Sequence, residues 1–400
     1  MLCGDLGGTN SRLELFRVGA PEALSRASLE DVGRLRPVYR QTYKNAEEES
    51  FTAVLHQFLR EAGCDVVLAA GCLAVAGHVE NDRVDFTNNS WLIDARSLED
   101  EFRMARGTLR LVNDFVANGY GVVTLQPGDY DDISPHGAVA ATAGAPVACV
   151  GAGTGLGETF ATAGADGLYD AWPSEGGHAA FAPRGDVQVD LLRHLTSKFH
   201  GRVSTERVVS GKGIVNVYEF LALRRPSEVD AALAARIHAA HEGAGVIAAN
   251  AYDDDLCGDA LDLVLDAYGA ELGDSVVKWL PFGGLYIAGG IALKNVDRLR
   301  SADSAFMKAY LDRGRLSPVL DKVPLRLVTV DDLGLRGAHY VALATLVPRT
   351  GPDAPQRADA PPTDLARVAS GLDDLASAVR KAALGLGLAA VLAVAMARRP

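Results

Sequence analysis

From Ser11 the chain reads SRLELFRV, polar and apolar side chains in alternation, which is the period of a half-buried strand. Ahead of it stands CGDLGGTN, an apolar segment closed by a Gly-Gly-Thr turn, so residues 3 to 16 are predicted to form a hairpin. Between residues 46 and 61 the period changes. Phe51, Val54, Leu55, Phe58 and Leu59 recur at helical spacing, and Asn45 with Glu48 fits a capping box, so an amphipathic helix is predicted there. The runs DVVLAAGCLAVAG (65–77) and TLRLVNDF (108–115) are short, apolar and ended by Gly or polar residues, as inner strands flanked by helices are. At 146–164, PVACVGAGTGLGETFATAG repeats the opening pattern of strand, Gly-Thr-Gly turn and strand. Two such units predict an α/β protein of two similar domains with a ligand cleft between them.

The last stretch differs. PRTGPDAPQRADAPPTD (348–364) has the Pro, Asp and Ala content of an exposed linker. Leu365, Val368, Leu372, Leu375 and Val379 then recur at helical intervals, so 365–400 is predicted as a helical extension. Its uncharged segment 382–397, flanked by Arg380, Lys381, Arg398 and Arg399, is short for a membrane span. A packing or oligomerising helix, a membrane anchor and a disordered tail all stay open there.

With 48% apolar and 22% charged residues, the 400-residue chain has the composition of an ordinary globular protein. A net charge of -12 argues against binding a nucleic-acid backbone, which demands surplus Lys and Arg, and favours a small soluble partner. Cys3, Cys64, Cys72, Cys149 and Cys257 show no C-x-x-C pairing, so neither a disulfide framework nor a zinc cage is expected. No basic and apolar leader precedes the first strand, and the expected compartment is the cytoplasm.

Glycine turns expose backbone N–H groups that can approach phosphate oxygens closely. GAGTGLG fails the dinucleotide fingerprint because Leu156 stands where it needs glycine, and no G-x-x-x-x-G-K-[ST] loop occurs. Asp5, at a strand end beside such a turn, suits either Mg²⁺ held through water or a plain turn carboxylate. Asp114 follows an apolar strand and precedes a helix, which fits a ligand site at a sheet's carboxyl edge or a simple helix cap. Glu175 and His178 in SEGGHAAFAP, with Glu206 downstream, suit hydrogen bonding to vicinal hydroxyls or an ordinary surface turn.

Taken in order, DLGGTN, FTNNSW, LVNDF, GAGTGLG, SEGGHAAFAP, ERVVSGKGI and LYIAGGIALKN resemble the bacterial-type glucokinases of the hexokinase, actin and Hsp70 superfamily, from about residue 2 to 347. The resemblance implies a two-domain actin-like (ribonuclease H-like) ATPase fold with an interdomain cleft. The small α/β domain would be 1–113 plus about 334–347, and the large one 114–333. It implies ATP and Mg²⁺ as cofactors and glucose as acceptor. Asp5, Gly7, Gly8, Thr9 and Asn10 match the first phosphate loop, with Asp5 holding the metal through water. Gly153, Thr154, Gly155 and Gly157 match the second, and Gly289 and Gly290 the adenosine segment. Asp114 falls on the catalytic base, with Asn113, Glu175, His178 and Glu206 as sugar ligands. A homodimer is the expected assembly. Two positions depart from the family pattern: His78 in a loop that often carries Pro, and Lys294 where Pro-Arg is common. The alternatives are a kinase for another hexose or N-acetyl amino sugar, and a non-enzymatic sugar sensor on the same fold.

Overall fold

Strands β1 (Leu2–Leu6) and β2 (Asn10–Leu15) pair antiparallel with Leu6 opposite Ser11, so the predicted first hairpin forms around a loop of Gly7, Gly8 and Thr9. The alternation in β2 holds: Ser11, Leu13 and Leu15 are buried, while Asn10 and Arg12 are exposed. The computed structural model describes residues 1–19, 24, 29, 32–63, 67–86, 91–240 and 243–347. The predicted linker and C-terminal extension, Cys64 and residues 87–90 of FTNNSW lie outside the described residues.

β3 (Tyr39–Lys44) extends the hairpin antiparallel, while β4 (Gly71–Val75) and β7 (Leu109–Asn113) add in parallel on the other side, in the order β3-β2-β1-β4-β7. A short hairpin of β5 (Arg83–Phe86) and β6 (Trp91–Asp94) stands apart. In the second sheet, β9 (Val147–Ala152), β10 (Leu156–Ala163) and β11 (Tyr169–Ser174) form the antiparallel part. β12 (Gly284–Ala288) and β13 (Leu325–Val328) then add in parallel, and β8 (Tyr130–Asp132) closes the order β11-β10-β9-β12-β13-β8. Apart from β8 the two sheets share one plan. The recurrence of the glycine hairpin in the sequence is therefore a recurrence of topology, and the α/β expectation holds.

One expected element starts late. The first long helix runs Phe51–Glu61, capped by Ser50, whose side chain accepts the Ala53 N–H. Residues 45 to 47 form a separate 3-10 turn, so the capping box at Asn45 and Glu48 does not exist. Phe51, Val54, Leu55 and Phe58 pack on Leu2, Leu6, Leu13, Leu73 and Val75 of the first sheet, as their spacing predicted.

Alternation along β1 sends Cys3 and Asp5 to the opposite face. There Cys3, Cys72 and Ala74 meet Ala338, Ala342 and Leu343 of helix Leu333–Leu346, together with Ala117 of helix Asp114–Val122. The same two helices reach the second sheet, where Leu333, Val122 and the half-buried Phe115 pack with Val147, Cys149, Ala161, Tyr286 and Ala288. They can do both because they cross in close contact. A Cβ on Gly337 would stand 1.7 Å from the Ala117 carbonyl oxygen, and one on Gly121 2.3 Å from the Leu333 carbonyl oxygen.

Cys3, Cys72, Cys149 and Cys257 are buried free thiols. Burial raises the thiol pKa of each, holding them protonated and unreactive. Among the described residues no helix is long and apolar enough to cross a membrane.

The helix crossing sets a stability test. Gly337→Ala places a methyl against backbone that no rotamer change can clear, and overpacking of this kind costs about 1–3 kcal/mol or more. The urea midpoint of the variant is expected to fall accordingly, with the unfolding slope unchanged.

Candidate active site

The first glycine turn is braced from β3. Gly7 N–H donates to the Asn10 carbonyl at 2.9 Å, and Asn45 N–H to the Thr9 carbonyl at 2.9 Å. The Asn45 side chain donates to the Gly7 carbonyl at 2.8 Å and accepts the Ser11 hydroxyl at 2.8 Å. Asn45 is thus spent on holding the turn, which is why it caps no helix. Thr9 and Asn10 are left exposed at the tip.

Asp5 sits at the carboxyl end of β1 with the Gly334 Cβ position 3.9 Å from its Oδ1. Burial raises its carboxyl pKa, and Arg12 opposes that only in part. A carboxylate that has lost its solvation is stabilised in its charged form by a cation beside it.

The second turn is Gly153-Thr154-Gly155, closed by the Gly153 N–H donating to the Gly155 carbonyl at 2.9 Å. It is braced from two places. Glu206 Oε2 accepts the Leu156 N–H at 2.9 Å, and Gly211 N–H donates to the Gly153 carbonyl at 2.8 Å. Gly157 has no room for a side chain, because a Cβ there would stand 2.2 Å from the Phe115 ring. Gly289, at φ 91°, brings the β12 turn to within 2.4 Å, Cβ position to oxygen, of the Ala152 carbonyl at the end of β9. Gly290 begins the short helix Gly290–Lys294, and both glycines are exposed.

Asn113 and Asp114 lie where β7 passes into helix Asp114–Val122. Asn113 is the cap: its Oδ1 accepts the N–H groups of Phe115 at 2.9 Å and Val116 at 3.2 Å, and its Nδ2 donates to the Gly77 carbonyl at 3.1 Å. Asp114 Oδ1 shares the Phe115 N–H with that cap, at 2.9 Å. Burial raises its pKa, and the Asp5 carboxylate adds to that rise, while the Phe115 N–H opposes it. Phe115 then wedges against both Gly151 and Gly157, tying the Asp114 backbone to the second turn.

Glu175 and His178 share the tight turn after β11, with Glu175 Oε2 3.8 Å from His178 Nε2 and both side chains exposed. Thr205 N–H donates to the Ala179 carbonyl at 2.9 Å, joining that turn to the one carrying Glu206. The Glu175–His178 pair makes no hydrogen bond to Asp114 or Glu206 among the described residues. Phe115 and Gly334 support the site without having been singled out in the sequence, Asn45 was read there as a helix cap, and Gly211 lies within the quoted SGKG.

A family model described as glucokinase matches residues 2–345. A glucokinase from Nostoc sp. is 35% identical over 363 residues, which covers 86% of this chain and 98% of its own. The chain belongs to the glucokinase family. Membership carries the reaction class, so the protein is an ATP-dependent hexose kinase. The crystal structure of a glucokinase from an Antarctic psychrotroph is similar at a TM-score of 0.70 and 28% identity, covering 85% of this chain and 97% of that one. A glucokinase from Balamuthia mandrillaris in complex with glucose has the same fold, with a TM-score of 0.64, 22% identity and coverage of 85% and 92%. For this glucokinase-family chain the fold expectation of an actin-like ATPase stands.

The dual use of Asn113 has a measurable consequence. Replacing a capping Asn by Ala costs about 0.5–2 kcal/mol, so Asn113→Ala is expected to lower the urea midpoint even with no sugar present.

Proposed function

We propose that the chain transfers the γ-phosphoryl group of ATP to the 6-hydroxyl of glucose, with Asp114 as general base. The observation that carries this reading is the placement of Asp114. It stands at a helix start with its pKa raised, close enough to Asp5 for their charges to interact, and joined through Phe115 to the second glycine turn. Base and both turns thus belong to one constellation, with domains 1–113 plus 334–347 and 114–333 closing around it.

In the transfer the C6 oxygen bonds to phosphorus as the bond to the bridging oxygen of ADP breaks, and the hydroxyl proton passes to Asp114. Its carboxylate has lost solvation through burial, which makes it a stronger base than an exposed one. With the Gly7 and Gly153 N–H groups closing the turns, those of Gly8, Thr9, Thr154 and Gly155 are the ones offered to the phosphate oxygens, and the bracing behind the turns lets them bind without reorganising.

Glu206 keeps one oxygen for the sugar, since Oε2 already accepts the Leu156 N–H. Asn113 lies beside the proposed base, its side chain bonded to the Gly77 carbonyl and to Asp114, and is placed to meet the same sugar. With Glu175 and His178 these groups orient the ring, and such orientation can supply ~7–11 kcal/mol.

Asp5 is a single carboxylate, and no group of three or more His, Cys, Asp or Glu is placed to hold a metal among the described residues. That donor set fits Mg²⁺, which keeps several waters and leans on substrate phosphates, far better than a metal caged by protein. When bound, the ion neutralises charge on the β- and γ-phosphates.

Asp114→Asn is expected to lower kcat by roughly two to four orders of magnitude, the range for lost general-base catalysis, in a coupled assay for glucose 6-phosphate. Near-normal turnover would remove Asp114 from the role. Folding raises this carboxyl's pKa, so the folded state binds more protons than the unfolded one across the interval between the two values. Stability contributed by the group therefore falls as pH rises through that interval, and at neutral pH the Asn variant is expected to unfold at an equal or higher urea concentration. Initial rates on mannose and an N-acetylated amino sugar, measured beside glucose, decide the acceptor.

A further inference from the structure

Behind the sugar-side turns lies a pair of buried carboxyl groups that the reaction does not use. Glu158 occupies an inward position of β10 between Leu156 and Phe160 and is 1% exposed. Neither of its carboxylate oxygens meets a hydrogen-bond partner among the described residues. Its neighbour is Glu271 of helix Asp255–Trp279, itself 8% exposed. Two ionised carboxylates can only accept, so Glu271 gives Glu158 no hydrogen bond while both are charged. One proton held between them supplies the partner that Glu158 lacks.

The surrounding charges favour that proton. Lys278 Nζ stands 2.9 Å from Glu271 Oε1, but Asp274 adds a third negative charge, and Arg313 Nε is engaged with Asp274 at 3.1 Å. Burial and the Glu271 charge push the Glu158 pKa up to about 8.

The pair also touches both turns. A Cβ at Gly176 would stand 1.9 Å from Glu158 Oε2, so the backbone between Glu175 and His178 rests directly on this carboxyl group. Thr205, beside Glu206, donates its hydroxyl to Glu271 Oε2 at 3.3 Å. The two turns are joined in turn by the Thr205 N–H to the Ala179 carbonyl.

We propose that Glu158 is a positioning residue for sugar binding, acting through a proton shared with Glu271 that holds the 175–178 and 205–207 turns in place. Loss of the proton sets two buried negative charges against each other beneath those turns, and glucose affinity falls while the transfer step is left alone. The proposal rests on the assignment of Glu175, His178 and Glu206 to the sugar.

The test is the KM for glucose, at saturating Mg-ATP, from about pH 7 to about pH 9.5 for the full chain, Glu158→Gln and His178→Ala. In the parent, KM is expected to rise about fivefold or more, the low end of coupling between linked sites, with its limb near pH 8 and with a smaller change in kcat. Glu158→Gln keeps a hydrogen for Glu271 and cannot ionise, so its KM should match the parent at pH 7 and stay flat above it. A flat parent profile, or a limb that persists in Glu158→Gln, overturns the shared proton. Calorimetric glucose titration of the parent and of Glu271→Gln at the two pH extremes serves if Glu158→Gln does not fold: the parent should weaken with pH and Glu271→Gln should not, and equal weakening overturns the proposal. An unchanged KM in His178→Ala would remove the sugar assignment, and the proposal with it. A raised KM there beside a flat parent profile would remove the proton pair alone.

Discussion

Two helices crossing at van der Waals contact hold this molecule together. Helix Asp114–Val122 and helix Leu333–Leu346 meet through Gly121 and Gly337, whose missing side chains let each backbone rest on the other. Each helix buries residues against both sheets, so the crossing is the joint through which the sheets are fastened. The proposed base begins one of these helices, and Gly334 at the start of the other lies against Asp5. A shift in the joint would therefore move the two carboxylates relative to each other.

Each sheet offers the same device at its edge, a three-residue glycine turn between antiparallel strands, but the two are braced differently. The first depends on Asn45, which fills the turn's own carbonyls from the end of β3. The second depends on Glu206 and Gly211, which come from the segment that follows the 175–178 turn. In the proposed reading, one carboxylate thus serves both substrates, holding the phosphate turn with one oxygen and offering the other to the sugar. Such sharing couples the two sites through a single side chain.

Much of this was legible locally. The hairpins, the inner strands and the helix over 51–61 follow from apolar period and turn residues, because a strand or helix at the edge of a core writes its buried face into the sequence. The exception is instructive: Asn45 and Glu48 look like a capping box, yet Asn45 turns its side chain to Gly7, far away in sequence. A polar residue near a helix start has several backbone groups to choose from, and spacing does not say which one is close. Likewise Glu158 interrupts the apolar face of β10, which flags a buried charge, but its companion Glu271 sits in another element more than a hundred residues on.

The sequence by itself determined the α/β class, the repeated hairpin unit, the family and the identity of the candidate site residues, because each of these lives in short-range pattern or in ordered motifs. Only the tertiary structure decided that Asn113 caps the helix that Asp114 begins, that Phe115 links the proposed base to the second turn, and that two buried carboxyl groups lie under the 175–178 and 205–207 turns. Those facts depend on which surfaces meet across the fold. Side-chain hydrogen bonds and desolvation act over a few ångströms in space, at separations along the chain that no local pattern records.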